Sequence, residues 1–319
     1  MSRLEAFAFL LLVVLTPVLS AQSTARVLTV FSSADQSQQP YIIAAPSAFE
    51  PGHTYPLVVS LHSEDSDHRL NLNQVEAAAQ RGWLVVCPLA RGAMGYRGIA
   101  EQDVYEVIDD VKRRYPVDED RIFLTGISMG GGGALWLGMT RPDLWAGIAA
   151  LCAGSMPGDE ALAGNLSNVP VRLYQGESDP IVPAAHSRLW QKWLLEAGVP
   201  AAYFEYPQVR HNVWEVAYHG AVEDWFAGLR RNPDPEHVHF TTRLYRYPSA
   251  YWVRVDGLSS SDYGTVDAGR ISPGEVRVET KNIDGFTLMR PGVESVTIDG
   301  AAVKLKPGPT ASFTRTATG

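Results

Sequence analysis

The chain has 319 residues, room for one large domain and a small one. Its 45% hydrophobic and 19% charged residues exclude a disordered or fibrous protein. A net charge of −8 with no long basic block argues against nucleic acid and anionic membrane surfaces as partners.

In chain order, Arg3 precedes the apolar run Ala6 to Leu15, followed by Thr16, Pro17 and the small residues of VLSAQS. That is a charged start, a stretch too short to span a bilayer, and a cleavage point after Ser20 or Ala21. Residues 1–21 therefore read as a signal peptide, and the protein as secreted or periplasmic. The run is followed by no cysteine that could carry a lipid anchor.

RVLTVFSS and QPYIIAAP read as two short strands, a hairpin at a sheet edge. A βα rhythm follows. Apolar strands are expected in YPLVVSLHS, WLVVCPLA, RIFLTGIS, WAGIAALCAG, PVRLYQGES and AAYFEYP. Helices are expected in LNLNQVEAAAQRG, AEQDVYEVIDDVKRRYP, GGGALWLGMTRP, PAAHSRLWQKWLLEAG and NVWEVAYHGAVEDWFAGLR. Near-continuous apolar strands alternating with helices indicate an α/β fold, a mostly parallel sheet covered on both faces. The prolines of RRNPDPEHVHF end this pattern. Beyond them, alternating segments separated by Gly, Pro, Asp and Asn form an all-β signature. The division is thus 22–235 for the α/β part and 236–319 for a small β-rich accessory domain.

Between the strand RIFLTGIS and the helix that follows lies Gly126-Ile127-Ser128-Met129-Gly130. A sharp strand-to-helix turn forces Ser128 into a strained conformation with its hydroxyl above the sheet, and glycines on both sides relieve the crowding. A plain glycine-rich turn would serve packing or a phosphate, but the Lys-Ser/Thr of a phosphate loop is missing. A nucleophilic serine needs a histidine base held by a carboxylate. In the order Ser, Asp, His, Asp179 of GESDPIVP and His211 of YFEYPQVRHNVW fall at the same strand edge. His186 lies too near Asp179 to reach across, His219 follows His211 in a helix, and His53 and His68 precede the serine.

GISMGGGGALWLG, GESDPIVP and HNVWEVAYHGAVEDWF resemble the secreted α/β-hydrolases of the polyhydroxybutyrate-depolymerase, feruloyl-esterase and prolyl-oligopeptidase-like esterase groups. The resemblance covers roughly residues 40 to 230. It implies an α/β-hydrolase fold with Ser128 as nucleophile, Asp179 as orienting acid and His211 as base. It also implies an oxyanion hole made by the Met129 N–H and the loop after His62. There the chain reads LHSEDSDHR in place of the usual glycines, so Ser63 or Glu64 would supply the second N–H. His62, Tyr96 and Trp214 are candidate substrate contacts, with Arg91 and Arg97 beside Tyr96. The acidic Glu64, Asp65 and Asp67 would either disfavour anionic substrates or form a solvated loop.

His237 and His239 share a strand face, but two ligands without a third do not make a metal site. Neither metal nor cofactor is expected. YRYPSAYW could hold a polymer or seal a contact between the two parts. The expected function is hydrolysis of a small-molecule or polymer ester, without nucleic acid or membrane anchor; the oligomeric state is open. A peptidase on short peptides uses the same machinery, and a non-catalytic glycan-binding protein on a hydrolase scaffold is the rival of another class. On the hydrolase sheet, the strands ending at Cys87 and Cys152 stand three steps apart, roughly 14 Å, about twice what a disulfide tolerates. Two buried free thiols acting as small core residues are expected.

Overall fold

The structure, a computed structural model, describes residues 23–316 apart from 219 and 307. The expected signal peptide and His219 lie outside the described residues. Eight strands form the main sheet: β1 (Ser23–Phe31), β2 (Gln38–Pro46), β3 (Tyr55–Leu61), β4 (Leu84–Pro88), β5 (Val117–Ile127), β6 (Gly147–Leu151), β7 (Val171–Gly176) and β8 (Ala201–Tyr206). Their order is β1-β2-β4-β3-β5-β6-β7-β8. β1 and β2 pair antiparallel as the expected edge hairpin, β2 pairs antiparallel with β4, and the strands from β4 to β8 run parallel.

Strand alternation sends successive side chains into two separate cores. In β3 and β4, Leu57, Val59, Leu61, Leu84 and Val86 join one cluster, while Val58, Val85 and Cys87 join the other. Fully burying each such aliphatic side chain contributes about 1.5–3 kcal/mol. The first face is covered by α3 (Ile99–Arg114), α4 (Met129–Thr140) and α5 (Ala184–Glu196), and the second by shorter helices. α3 ends with Lys112, Arg113 and Arg114, which suit the negative end of its dipole.

Two expected helices are broken. The first is α1 (His68–Gln74) and α2 (Glu76–Gln80), interrupted at Val75. The last is α6 (Trp214–Ala217) and α7 (Ala221–Ala227), parted at Gly220, whose φ of 115° no right-handed helix allows. Gly220 then starts α7, its N–H donating to Glu223 at 3.1 Å. A 3-10 helix at Asp159–Asn168, unforeseen in the sequence, carries the chain from β6 to β7.

The C-terminal residues form the expected β structure. The strands are β9 (His237–Thr242), β10 (Ser249–Ala250), β11 (Val253–Leu258), β12 (Gly264–Ser272), β13 (Glu275–Lys281), β14 (Ile283–Leu288), β15 (Ser295–Ile298), β16 (Ala301–Lys304) and β17 (Ala311–Thr314). One sheet holds β16-β15-β13-β12-β9 and another β10-β11-β14-β17. Val238, Phe240, Trp252, Val266 and Phe286 pack in a core of their own. The YRYPSAYW stretch mostly seals contacts. Tyr247 meets Tyr105 edge to face with ring centroids 5.1 Å apart, the Tyr251 hydroxyl donates to the Pro142 carbonyl, and Trp252 is buried; Tyr245 is exposed.

Candidate active site

Ser128 stands between β5 and α4 at φ 60° and ψ −116°, half-buried, with its backbone N–H donating to Leu151 O at 2.8 Å. Close approach explains the flanking glycines. A Cβ on Gly126 would lie 2.2 Å from Gly130 O, and one on Gly130 would lie 2.2 Å from Leu61 O. Any side chain at either position would push the helix off the sheet. Met129 opens α4, so its N–H lacks an acceptor within the helix and sits at the positive end of the helix dipole.

Asp179 and His211 are brought together from the loops after β7 and β8. His211 Nδ1 lies 2.7 Å from Asp179 Oδ2, with the carboxylate side chain fully buried and the ring 18% exposed. The two loops are stapled by Ser178 N–H to Val209 O at 3.0 Å and Glu177 N–H to Tyr206 O at 3.0 Å. Asp179 Oδ1 accepts from the N–H groups of Ile181 and Val182 at 2.9 and 3.0 Å. Burial alone would raise the Asp179 carboxyl, but the hydrogen bonds from His211, Ile181 and Val182 outweigh it and hold it below the usual range. Asp179 therefore stays ionised beside the ring, as a carboxylate that orients an imidazole must.

Gln175 was missed in the sequence. It is fully buried; its Nε2 donates to Asp179 Oδ2 at 3.2 Å, and its Oε1 accepts from Ser187 Oγ at 2.7 Å. The signal was a lone amide in the apolar strand VRLYQG.

The expected oxyanion loop leaves β3 at His62. Both His62 ring nitrogens face backbone carbonyls, Ser63 O at 2.8 Å and Leu89 O at 3.0 Å, and the residue is fully buried. His62 thus fixes the loop and is out of substrate's reach. Tyr96 departs from expectation in the same way. It is fully buried and its hydroxyl donates to His62 O at 3.0 Å, so it supports the loop from beneath. Ser63 is half-buried, with Glu64 and Asp65 exposed beside it. Asp67 caps α1 by accepting from the N–H groups of Arg69 and Leu70.

Trp214, at the start of α6, is half-buried against the second core. Arg91 is held by Asp35 and Asp103, and Arg97 by Asp159 and the Trp136 ring, so neither is free to bind substrate. His186 meets Ser155 at 3.1 Å, and His237 and His239 both bond Asp267.

A mostly parallel eight-stranded sheet with a strained serine at a strand-to-helix turn makes this an α/β-hydrolase fold. Residues 99–223 match the phospholipase/carboxylesterase family. A relative named "Putative esterase NocK", from Nocardia uniformis subsp. tsuyamanensis, is 29% identical over 52% of this chain and 52% of its own. The bifunctional acetylxylan esterase/xylanase XynS20E of Neocallimastix patriciarum is 36% identical over 28% of this chain and 14% of its own. The chain therefore spans about half the length of the first curated relative and far less of the second. The crystal structure of a thermostable esterase superposes with a TM-score of 0.57 at 24% identity, covering 65% of this chain and 63% of that one. These matches support the esterase group of α/β-hydrolases. Among the described residues no helix is long and apolar enough to cross a membrane.

Proposed function

We propose that the protein is an exported serine hydrolase that cleaves carboxylic esters. The observation that carries this reading is the His211–Asp179 pair, 2.7 Å apart, at the sheet edge where Ser128 leaves β5 at positive φ. In the proposed reaction Ser128 Oγ attacks the acyl carbon while His211 Nε2 takes its proton. The tetrahedral oxyanion is held by the Met129 N–H and an N–H of the Ser63 loop. Collapse breaks the ester C–O bond, and the departing alkoxide takes the proton from His211. Water then attacks the acyl-enzyme, again giving its proton to His211, and the acid leaves with Ser128 restored. Asp179 stays ionised throughout, holding His211 in the tautomer with its proton on Nδ1. Trp214 is the remaining candidate substrate contact, on a small or polymeric ester. Residues 1–21 as a cleaved signal peptide support export.

The test is fluorophosphonate labelling with peptide mapping, run beside turnover of p-nitrophenyl esters and aminoacyl p-nitroanilides. Label on Ser128 with faster ester turnover is expected. Faster anilide turnover would make the protein a peptidase; no label and no turnover would make it a scaffold, with binding as the activity to seek.

A further inference from the structure

We propose that Cys152 is a positioning residue for the acid–base pair, holding Asp179 and His211 at their working separation. The proposal rests on the function given above. Cys152 is the first residue beyond β6, and its backbone turns there to φ 47°. That left-handed conformation costs a non-glycine residue of order 1–3 kcal/mol and is kept where the surroundings impose it. Its effect is visible in the packing. Ala149 and Leu151 face the second core while Ile148 and Ala150 face the first, so continued alternation would send residue 152 to the first. Cys152 instead lies in the second, with Leu151, on the side that carries Val213 and the start of α6.

There its thiol meets both partners. Sγ lies 3.9 Å from His211 O, and Sγ, an Asp179 carboxylate oxygen and a His211 ring nitrogen all lie within 4.8 Å of one another. The Cys152 N–H donates to Tyr174 O at 2.8 Å, fixing the turn to β7. Burial pushes the Cys152 thiol up, so the group remains a neutral S–H donor. A thiol suits this place. It is a small apolar group with one weak donor, which reaches the His211 carbonyl while the sulfur packs near the Asp179 carboxylate.

The test follows the imidazole titration of His211 by NMR on 15N-histidine-labelled protein, in wild type, Cys152→Ala and Cys152→Ser. The pH profile of kcat/KM for a p-nitrophenyl ester is measured alongside. Alanine removes the S–H that reaches His211 O beside the Asp179 carboxylate, lets the imidazole and the carboxylate drift apart, and should lower the midpoint in both measurements. Serine keeps a donor to the same carbonyl and should hold the midpoint near wild type. A side chain that only fills space would change thermal stability without moving either midpoint. Midpoints equal to wild type in both variants, or shifted the same way in both, overturn the proposal. A shift in the alanine variant that serine rescues supports it even if Ser128 fails to label, an outcome that would retract the nucleophile and not the positioning role.

Discussion

The side chain of Asn165 pairs with the backbone of Thr241 as a neighbouring strand would. Asn165 Nδ2 donates to Thr241 O at 2.9 Å and its Oδ1 accepts from Thr241 N–H at 2.7 Å, while Nδ2 also reaches Met139 O. One amide thus joins the 3-10 helix, α4 and β9 in a site 1% exposed. Asn165→Ala leaves these backbone groups buried and unpaired, and should cost about 2–4 kcal/mol by urea unfolding. A loss below 1 kcal/mol would mean that water replaces the amide at this contact.

The same attachment predicts the outcome of truncation. Removing residues 237–319 uncovers Asn165 and the Tyr105 ring, which β9 and Tyr247 contact. The shortened protein should be insoluble or melt well below the full chain. Soluble truncated protein with unchanged ester turnover would show that the α/β part folds alone.

Asp179→Asn should lower kcat roughly 10⁴-fold with little change in folding. The amide oxygen can keep the N–H groups of Ile181 and Val182, which turns its NH2 toward His211 Nδ1 and favours the wrong tautomer. Kinetics beside a thermal melt would test this; a drop of less than tenfold would remove Asp179 from the acid's role.

Glu101 gives a pH-dependent prediction. It is 2% exposed, and burial pushes its carboxyl up despite the hydrogen bond from Thr140 Oγ1 at 2.6 Å. Because the folded value is raised, its stabilising contribution is complete below the unfolded value of about 4.3 and is lost as pH rises through the folded one. Glu101→Gln keeps an acceptor for Thr140 Oγ1 and carries no charge. Its Tm should exceed wild type near pH 8 and converge with it below about pH 4. A wild-type Tm that stays higher near pH 8 would show that the site favours the ionised carboxylate.

Cys87 and Cys152 are both buried and free, on or beside strands separated by β3 and β5. Titration of the denatured, unreduced protein should find two thiols. One disulfide would contradict the strand order.

Much of this was legible because local chemistry and global fold agree around Ser128. Glycine spacing, strand-to-helix context and the order Ser, Asp, His each point to one sheet edge, and the Asp179–His211 contact is there. The mostly parallel sheet could be read from apolar runs, whereas its strand order, and with it the separation of the cysteines, came from the resemblance to the α/β-hydrolase fold. Other features were set by partners distant in sequence. Tyr96 sits in a loop without periodicity, so nothing local says that it turns under His62 and away from solvent. Cys152 read as a strand residue because its positive φ has no composition signal. The breaks at Val75 and Gly220 fall inside helical spacing that the apolar pattern alone would continue. In the C-terminal sheets, the parallel pairing of β13 (Glu275–Lys281) with β15 (Ser295–Ile298) joins segments that alternation alone cannot register.

The backbone at Ser128 sets stability against chemistry. At φ 60° and ψ −116° it occupies a region that glycine enters freely and serine enters at a cost of about 1–3 kcal/mol. Ser128→Gly should therefore melt higher than wild type while losing turnover, and higher than Ser128→Ala, which keeps a Cβ in the same strained place. Random mutagenesis screened for heat resistance alone would drift toward glycine here, erasing the hydroxyl that the proposed reaction uses. A lineage that keeps serine at 128 would be one in which something besides persistence of the fold has been under selection.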